Sequence, residues 1–508
     1  MNFKKVMAFT IVLIFPFMAY TQIFNAADFY NQFSNYSIAP DNLMLMNHSF
    51  VISKINEITK SNSVLDVKIV GTSVEGRSIN MVSFGKGETK ILLWSQMHGD
   101  EPTATAALLA IFNYLSQNFS EPFVQSLYRN LSIHAIIMLN PDGAQKFQRR
   151  NAQDIDINRD ARLLQSPEGR ALKNMKDQIN PDFGFNLHDM GGRETVGDTK
   201  KILSIALMAP PYNKENEDND SRNRAKQIAL IIKKTLDNFI PGHISRYKAD
   251  YMPRAFGDSM QDWGVSTVLI ESGRAITTDA KFLVRLNFVS LLSAFSAMAD
   301  GSFENENPAE YDKIPLEGIE LFDLLIKDIL IFNGEGHPPF RGDIGININH
   351  TKKGNDIEIN SLIKDLGDLS ITAGINEING KNLIVFPGFV AAGNREDQLN
   401  SKYENLITSK IYNENNIKNI EDKDAVFVSA EMIKQLNKFD IQEILPVDHI
   451  KKYSSENADI LNLKNVGRIK KDLKANLLIF KSENRKEIHL TKLKHIIKNG
   501  LIIFEKSN

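Results

Sequence analysis

The stretch KILLWSQMHGDEPTATAALLAIFNYLSQNF, residues 90–119, sets the fold of the first part of this 508-residue chain. Its first seven residues form an apolar run of the length of a buried strand, and residues 103–119 have the length and composition of a helix. The polar turn MHGDEP lies between them. A strand, a polar turn and a helix in this order predict an α/β unit with the turn at the end of a buried strand.

The same alternation of apolar runs and helical patterns continues to about residue 300. LSIHAIIML is followed by SPEGRALKNMKDQI, ILSIALMA by SRNRAKQIALIIKKTLDNF, and STVLIE by DAKFLVRLNFVSLLSAFSAMA. This alternation predicts an α/β fold with a largely parallel or mixed sheet covered by helices. Open sheets of this kind carry their sites at strand ends, so polar residues at the ends of the apolar runs are the candidates for function.

Three dispersed side chains could hold a metal ion. His98 and Glu101 lie three residues apart in the turn, and His188 follows the apolar run FGFNL at a second expected strand end. A zinc site in a hydrolase uses about three nitrogen or oxygen ligands and leaves one position open for water. These residues supply that set, and we therefore expect one bound Zn²⁺.

Four further residues could perform chemistry beside the ion. Glu271 ends the apolar run VSTVLIE and is the candidate for the carboxylate that takes a proton from water and returns it to the leaving amine. Arg159, with Asn158 beside it, offers planar donors for a substrate carboxylate, and Arg149 is placed to polarise the scissile carbonyl. Each motif alone has an ordinary structural explanation, and their joint occurrence in this order carries the prediction.

The residues in this order resemble the zinc metallocarboxypeptidase family, in which an HxxE pair, an Asn-Arg pair, a distant histidine and a late glutamate recur. The resemblance covers about residues 24–300. It includes NPDG (140–143), RRNAQDIDINRD (149–160) and SPEGRALK (166–173). It implies a mixed sheet of eight-stranded type flanked by helices, and the C-termini of peptides or proteins as substrates.

The resemblance also assigns individual residues. It implies that Arg149, rather than its neighbour Arg150, faces the scissile carbonyl. A tyrosine is expected over the substrate some twenty residues before Glu271, which favours Tyr251, with Tyr247 as the alternative. The segment RAFGDSMQDWG, residues 254–264, is expected to line the pocket for the C-terminal side chain of the substrate.

Composition and the N-terminus restrict the remaining possibilities. A net charge of −2 and a pI of about 6.6 give no reason to expect nucleic acid as a partner. Residues 1–21, with Lys4 and Lys5 before VMAFTIVLIFPFMAY, have the pattern of a secretory signal peptide, with an uncleaved anchor as the alternative. Together with the absence of cysteine, this predicts a secreted or periplasmic bacterial enzyme. No later segment is expected to span a membrane.

The alternation of apolar runs and helical patterns ends near residue 300. Residues 301–315 are polar and are expected to form a linker, followed by a smaller β-rich accessory domain at 316–508. Within it, residues 328–347 and 378–394 resemble the opening strands of the amidohydrolase superfamily, and residues 457–480 and 496–505 its closing strands. Too few residues lie between them for the barrel of that superfamily. We therefore expect a barrel-less β-sandwich, with an unrelated β-rich domain as the alternative.

The leading hypothesis is an exported zinc-dependent metallocarboxypeptidase. One alternative keeps the metal chemistry and acts on cell-wall peptides with γ-D-glutamyl or D-centred linkages, and another is an aspartoacylase-like amide hydrolase. A third alternative is a non-catalytic module that binds peptides or glycans. The domain division at residue 300 further predicts that deletion of residues 316–508 leaves zinc binding intact.

Overall fold

A computed structural model describes most of the chain up to residue 387 and several strands beyond it. The described residues are 24–60, 64–248, 250–331, 340–354, 356–381, 383–387, 444–446, 469–471, 477–481, 487–489, 493–498 and 501–505. The predicted signal peptide, residues 1–21, lies outside them.

The helices all lie before residue 314 in the described part of the chain. The α-helices are α1 (Ala26–Tyr36), α2 (His48–Lys60), α3 (Thr103–Gln117), α4 (Pro122–Asn130), α5 (Pro141–Lys146), α6 (Pro167–Ile179), α7 (Asp220–Leu236), α8 (Phe256–Asp262) and α9 (Phe282–Asp300). Short 3-10 helices occur at Leu43–Leu45, Ile157–Arg159, Ser302–Asn305 and Pro308–Lys313.

The strands fall into an early and a late group. The early strands are β1 (Leu65–Thr72), β2 (Ser78–Gly85), β3 (Thr89–Ser95), β4 (Leu131–Ile136), β5 (Phe183–Asp189), β6 (Glu194–Val196), β7 (Ile205–Met208), β8 (Ile244–Arg246) and β9 (Ser266–Ser272). The late strands are β10 (Glu317–Glu320), β11 (Phe322–Ile331), β12 (Phe340–Lys353), β13 (Asp356–Gly367), β14 (Gly374–Asn379), β15 (Leu383–Pro387), β16 (Ile444–Pro446), β17 (Leu477–Lys481), β18 (Glu487–His489), β19 (Leu493–Lys498) and β20 (Leu501–Glu505).

The first domain is built on an eight-stranded mixed sheet in the order β1-β2-β4-β3-β5-β9-β7-β8. The central strands β4, β3, β5 and β9 are parallel to their neighbours in this set. The outer pairs β1 with β2, β2 with β4 and β7 with β9 are antiparallel. The predicted fold class, a mixed α/β sheet flanked by helices and followed by a β-rich region, is confirmed.

Both faces of this sheet are buried, which explains the continuous apolar runs of its central strands. In β3, Ile91 and Leu93 pack against the core that contains α3, α7 and α9. The alternate residues Leu92 and Trp94 pack against the opposite core, which contains residues of α6 and α8. The sheet is therefore the middle layer of an α/β/α sandwich.

Helix α9 is long and apolar enough, by length and composition alone, to cross a membrane, contrary to the expectation for the chain after the signal peptide. However, 78% of its most apolar window is buried within the domain. Its buried side chains include Phe288 and Phe295, and both belong to the main hydrophobic core. This burial is typical of a central core helix.

The segment 301–315, expected as a linker, packs on the first domain instead. It contains two 3-10 helices, and Phe303, Tyr311 and Ile314 are buried in the main core. The Tyr311 hydroxyl accepts a hydrogen bond from the Ala209 backbone N–H at 3.0 Å. The polar residues that suggested a linker therefore lie on the outer face of a segment anchored by three apolar side chains.

The late strands form a second mixed sheet in the order β13-β12-β11-β15-β17-β19-β20, with β14 also paired to β11. Its core is made of aliphatic side chains such as Ile326, Ile344 and Ile479. The pairing of β15 with β17 joins the opening and closing segments of the accessory region. The resemblance to the amidohydrolase superfamily implies such a pairing. The relation of this region to that superfamily stays a prediction.

Candidate metal centre and substrate cleft

The predicted metal-binding residues meet at the ends of three neighbouring parallel strands. His98 and Glu101 lie in the turn after β3, and His188 is the next-to-last residue of β5. Glu271 is paired with His188 across the β5–β9 ladder, so the two side chains start from adjacent positions. The parallel order of β3, β5 and β9 thus brings together residues that are far apart in sequence.

The turn that carries His98 and Glu101 is pressed against the NPDG segment. A Cβ atom at Gly99 would lie 2.0 Å from the backbone carbon of Gly143, so only glycine fits there. The Asn140 side chain donates to the Met97 carbonyl at 3.2 Å and caps α5 by accepting from the Gly143 N–H at 2.9 Å. NPDG therefore supports the metal-binding turn.

His98, Glu101 and His188 form a buried cluster whose possible ligand atoms all lie within 4.8 Å of one another. His98 Nδ1 is 2.7 Å from Glu101 Oε1, and His188 Nδ1 is 2.7 Å from Glu101 Oε2. Two imidazole nitrogens and a carboxylate converging on one point are a donor set that suits Zn²⁺. The residues present therefore fit a zinc ion.

The outer nitrogens of both histidines also have partners. His98 Nε2 is 3.1 Å from Asp156 Oδ1, and His188 Nε2 is 3.4 Å from the Asn158 side-chain nitrogen. A carboxylate on the far nitrogen of a histidine orients the ring and makes it a stronger metal ligand. Asp156 is therefore a supporting residue of the cluster.

Several carboxyl groups lie close together in and beside the cluster. Burial opposes ionisation of Glu101, yet the adjacent His188 and His98 lower its pKa to about 2. Burial and the negative charge of Glu101 raise the pKa of Asp189 to about 7. Burial, Glu101 and Asp189 also raise the pKa of Glu271 well above its ordinary value. A divalent cation would relieve this repulsion, which agrees with the geometry of the ligands.

Arg149 lies at the cluster, whereas Arg150 does not. The Arg149 guanidinium donates to Asp156 Oδ2 at 3.1 Å and lies 3.1 Å from His98 Nδ1. Arg150 donates to the Asp154 carbonyl at 2.8 Å on the exposed side of the loop. Of the two neighbouring arginines, only Arg149 has the location expected of a residue that faces the scissile carbonyl.

A cleft of about 920 Å³ opens over the cluster and contains most of the remaining predicted site residues. Asn158, Arg159 and Glu271 line it together with His98, Glu101 and Arg149. The Asn158 side-chain oxygen accepts from the Phe256 N–H at 2.9 Å, and an Arg159 nitrogen donates to the Asn158 carbonyl at 2.7 Å. These bonds fix the Asn-Arg pair at the side of the cleft.

The segment 254–264 contributes to the cleft through Ala255, Gly257 and Asp258. Met260 is fully buried in a core, and Gln261 is held by Ser221 and Thr267, so neither lines the cleft. The Asn186 side chain lines the cleft as well. It is 1% exposed, and among the described residues neither of its amide atoms has a hydrogen-bond partner. Within the described residues, Asn186 therefore places an unpaired, buried amide at the wall of the cleft.

Of the two tyrosines considered for covering the substrate, Tyr247 lies at the cleft and Tyr251 does not. Tyr247 lines the cleft, and burial together with the charge of Glu271 raises its pKa to about 12. Tyr251 lies outside the residues that line the cleft, near the acidic side chains of Asp258 and Asp262. Tyr247 directly follows β8, whereas Tyr251 lies further along the loop that leads to α8, and the covering role of either tyrosine stays a prediction.

Some residues of the site were not predicted. Asp156 stands within the quoted DINRD motif, and the need of a histidine ligand for a second partner could have identified it. Asn186 could have been found because it lies two residues before His188 and faces the same side of its strand. Glu317 and Glu320 also line the cleft, and no local signal connects them to the cluster.

Comparison with known proteins finds one matching family model. Residues 51–181 match the zinc carboxypeptidase family model, Peptidase M14. This match confirms, for residues 51–181, the resemblance to the zinc carboxypeptidase family that the sequence motifs indicated. His98, Glu101, Arg149 and Arg159 lie inside the matched range, whereas His188 and Glu271 follow it.

Individual relatives match over limited segments. The chain is 29% identical over 119 residues to probable carboxypeptidase 2 of Arthroderma benhamiae, covering 23% of this chain and 22% of that protein. It is 32% identical over 233 residues to carboxypeptidase D of Homo sapiens, covering 38% of this chain and 16% of that protein. The chain thus covers less than a quarter of the length of these relatives. A metallo-carboxypeptidase structure from Burkholderia cenocepacia aligns with a TM-score of 0.41 and 17% identity, over 50% of this chain and 69% of that one.

Proposed function

We propose that the protein is an exported zinc-dependent metallocarboxypeptidase that hydrolyses the C-terminal peptide bond of its substrates. The observation that carries the proposal is the buried convergence of His98, Glu101 and His188 beside Glu271 in one cleft. Export rests on the signal-like sequence of residues 1–21. Peptide or protein C-termini are the proposed substrates, and cell-wall peptides are the second class to test.

His98 Nδ1, His188 Nδ1 and the Glu101 carboxylate would hold a single Zn²⁺. When bound, such an ion acts as a Lewis acid and lowers the pKa of water to near neutrality. Asp156 keeps the His98 ring oriented toward the ion through its contact at Nε2.

Glu271 is the proposed general base and then general acid. Glu271 is 8% exposed and lines the cleft, so it is largely shielded from solvent where the substrate would bind. A carboxylate with a raised pKa holds a proton well enough to pass it from the attacking water to the leaving amine. Arg149, which carries positive charge beside the cluster, stabilises the negative oxygen that develops on the scissile carbonyl.

Arg159 and Asn158 would bind the terminal carboxylate of the substrate. Arginine donates two parallel hydrogen bonds to a carboxylate, which gives both affinity and orientation. A substrate fixed in this way places its last peptide bond toward Glu271, and its last side chain toward Asn186 and Asp258. Tyr247 is positioned to cover the bound substrate.

The test compares three sets of peptides with the full-length, zinc-loaded protein: free C-termini, the same sequences with amidated C-termini, and γ-D-glutamyl peptides. We expect release of a single amino acid from the free peptides and little from the amidated ones. Cleavage of γ-D-glutamyl peptides alone would transfer the function to cell-wall substrates. Zinc binding with no cleavage of any set would favour a binding module.

Arg159→Lys is the matched variant for this test, and Arg150→Lys is its control. Loss of one charge-assisted hydrogen bond, worth about 1.5–3 kcal/mol, should lower kcat/KM for free peptides by about 10- to 100-fold. Arg150 points away from the cleft, so its substitution should leave kcat/KM unchanged. An equal change in kcat/KM for the two variants would contradict the role of Arg159 in binding the substrate carboxylate.

A further inference from the structure

The strand β10, which follows the first domain, forms one wall of the cleft. It pairs antiparallel with β6, with Glu317 opposite Val196 and Glu320 opposite Glu194. The two strands are pressed together so closely that a Cβ atom at Gly318 would lie 1.9 Å from the Gly197 carbonyl oxygen. The substrate cleft is thus completed by residues beyond 315.

A buried carboxylate is among the contacts that connect the second sheet to the active-site loops. Asp323, the second residue of β11, is 3% exposed. Its Oδ2 accepts from Arg193 Nε at 2.8 Å, and its Oδ1 accepts from Arg274 Nη1 at 2.7 Å. Oδ2 also accepts from the Ile348 backbone N–H at 2.7 Å, which holds Asp323 firmly within the second sheet.

The two arginines belong to the two loops on which the proposed chemistry depends. Arg193 lies five residues after the metal-binding His188, and Arg274 lies three residues after Glu271. The loops also touch each other, since the Met190 N–H donates to the Ser272 carbonyl at 2.8 Å. Asp323 therefore contacts the ends of both loops from the same sheet, and Arg193 also donates to the Ile348 carbonyl at 2.5 Å and to Asn349 Oδ1 at 3.2 Å.

We infer that Asp323 is a positioning residue that couples the second sheet to the geometry of His188 and Glu271. The expected effect of Asp323 on kcat rests on the proposed function, whereas its effect on the position of the two loops does not. Charge-assisted hydrogen bonds from two arginines to one buried carboxylate leave little freedom of rotation or translation. Residues beyond 315 then contribute to the geometry of the active site, and the effect of deleting residues 316–508 on zinc binding stays a prediction.

The experiment uses the full chain with Asp323→Ala and the isosteric Asp323→Asn, which keeps the volume and one acceptor oxygen. We expect kcat to fall about 100-fold for Asp323→Ala, with a smaller change in KM, because a displacement of about 1 Å in a catalytic group has that effect. Asp323→Asn should give an intermediate loss. Asp343→Ala is the matched control, since Asp343 accepts backbone N–H bonds in the same sheet without touching either arginine.

Amide hydrogen exchange separates this inference from the proposed function. In both Asp323 variants the amides of Met190 and Arg274 should exchange at least about tenfold faster than in wild type, and in Asp343→Ala they should not. This readout holds even if no peptide is cleaved, in which case only the proposed function fails. Unchanged exchange at both amides in Asp323→Asn, or loss of thermal stability with kcat unchanged, would overturn the positioning role.

Discussion

Replacing Gly99 with alanine tests whether the metal-binding turn depends on its close contact with NPDG. The added Cβ would lie 2.0 Å from the Gly143 carbonyl carbon and 2.2 Å from the Ala144 nitrogen. Both atoms belong to the backbone of α5, which cannot rotate away as a side chain can. An ordinary contact begins at 3.4 Å, so the turn or the helix must move by about 1.4 Å.

The magnitude of this movement decides the outcome for the metal. His98 is adjacent to Gly99, and Glu101 follows two residues later, so a shift of the turn moves both proposed ligands. Metal sites tolerate deviations of about 0.2 Å in ligand distance, far less than the expected shift. We expect zinc affinity to fall by more than about 100-fold, beyond the 10- to 100-fold usual for losing a supporting residue. Stability should fall by about 1–3 kcal/mol, as for other overpacked sites.

The assay is zinc affinity by competition with a chelator, together with thermal unfolding of the same samples. The matched control is Gly342→Ala in the second sheet, where the closest atom to an added Cβ is at 3.4 Å. This control should keep wild-type zinc affinity. If Gly99→Ala bound zinc within about threefold of wild type, the proposed dependence of the metal site on the Gly99–Gly143 contact would be refuted.

Two further predictions concern carboxylates of the site. Asp156→Asn keeps the size of the side chain but removes the charge beside His98 Nε2. Zinc affinity, measured by the same competition with a chelator, should fall about 10- to 100-fold. An unchanged affinity would contradict the supporting role of Asp156. Burial raises the pKa of Asp258 from 3.8 to about 6, despite a backbone hydrogen bond from Met252. The pKa of Asp258 is higher in the folded state than in the unfolded state. The protonated Asp258 carboxyl therefore favours the folded state below about pH 4, and this contribution is lost as the pH rises through 6. The free energy of unfolding, measured in urea, should therefore be up to about 3 kcal/mol higher for Asp258→Asn than for wild type at pH 8, and equal for the two proteins at pH 3.5. Equal free energies at both pH values would contradict the raised pKa.

The parts of the fold that arise from continuous local patterns could be predicted from the sequence. Apolar runs with both faces buried identified the central strands, and the polar residues at their ends identified His98, His188 and Glu271 as neighbours. This worked because adjacent parallel strands bring their carboxyl ends to one edge of the sheet.

Other features depended on contacts that local patterns do not encode. The choice between Tyr247 and Tyr251 depends on the path of a loop, and counting residues from Glu271 cannot define that path. Glu317 reaches the cleft only because β10 pairs with β6, a ladder between short strands more than a hundred residues apart. Polar composition alone also misassigned residues 301–315, because three apolar side chains among many polar ones are enough to anchor the segment.

The most direct test of the account measures zinc content and C-terminal amino acid release for the wild-type chain and for Glu271→Gln. Glutamine matches the volume of glutamate but cannot accept and return the proton. We expect one zinc per chain in both proteins, release of C-terminal amino acids by wild type, and a fall in that release of about 10²- to 10⁴-fold in the variant. A variant that retains wild-type activity, or a wild-type chain that binds no zinc, would contradict the account.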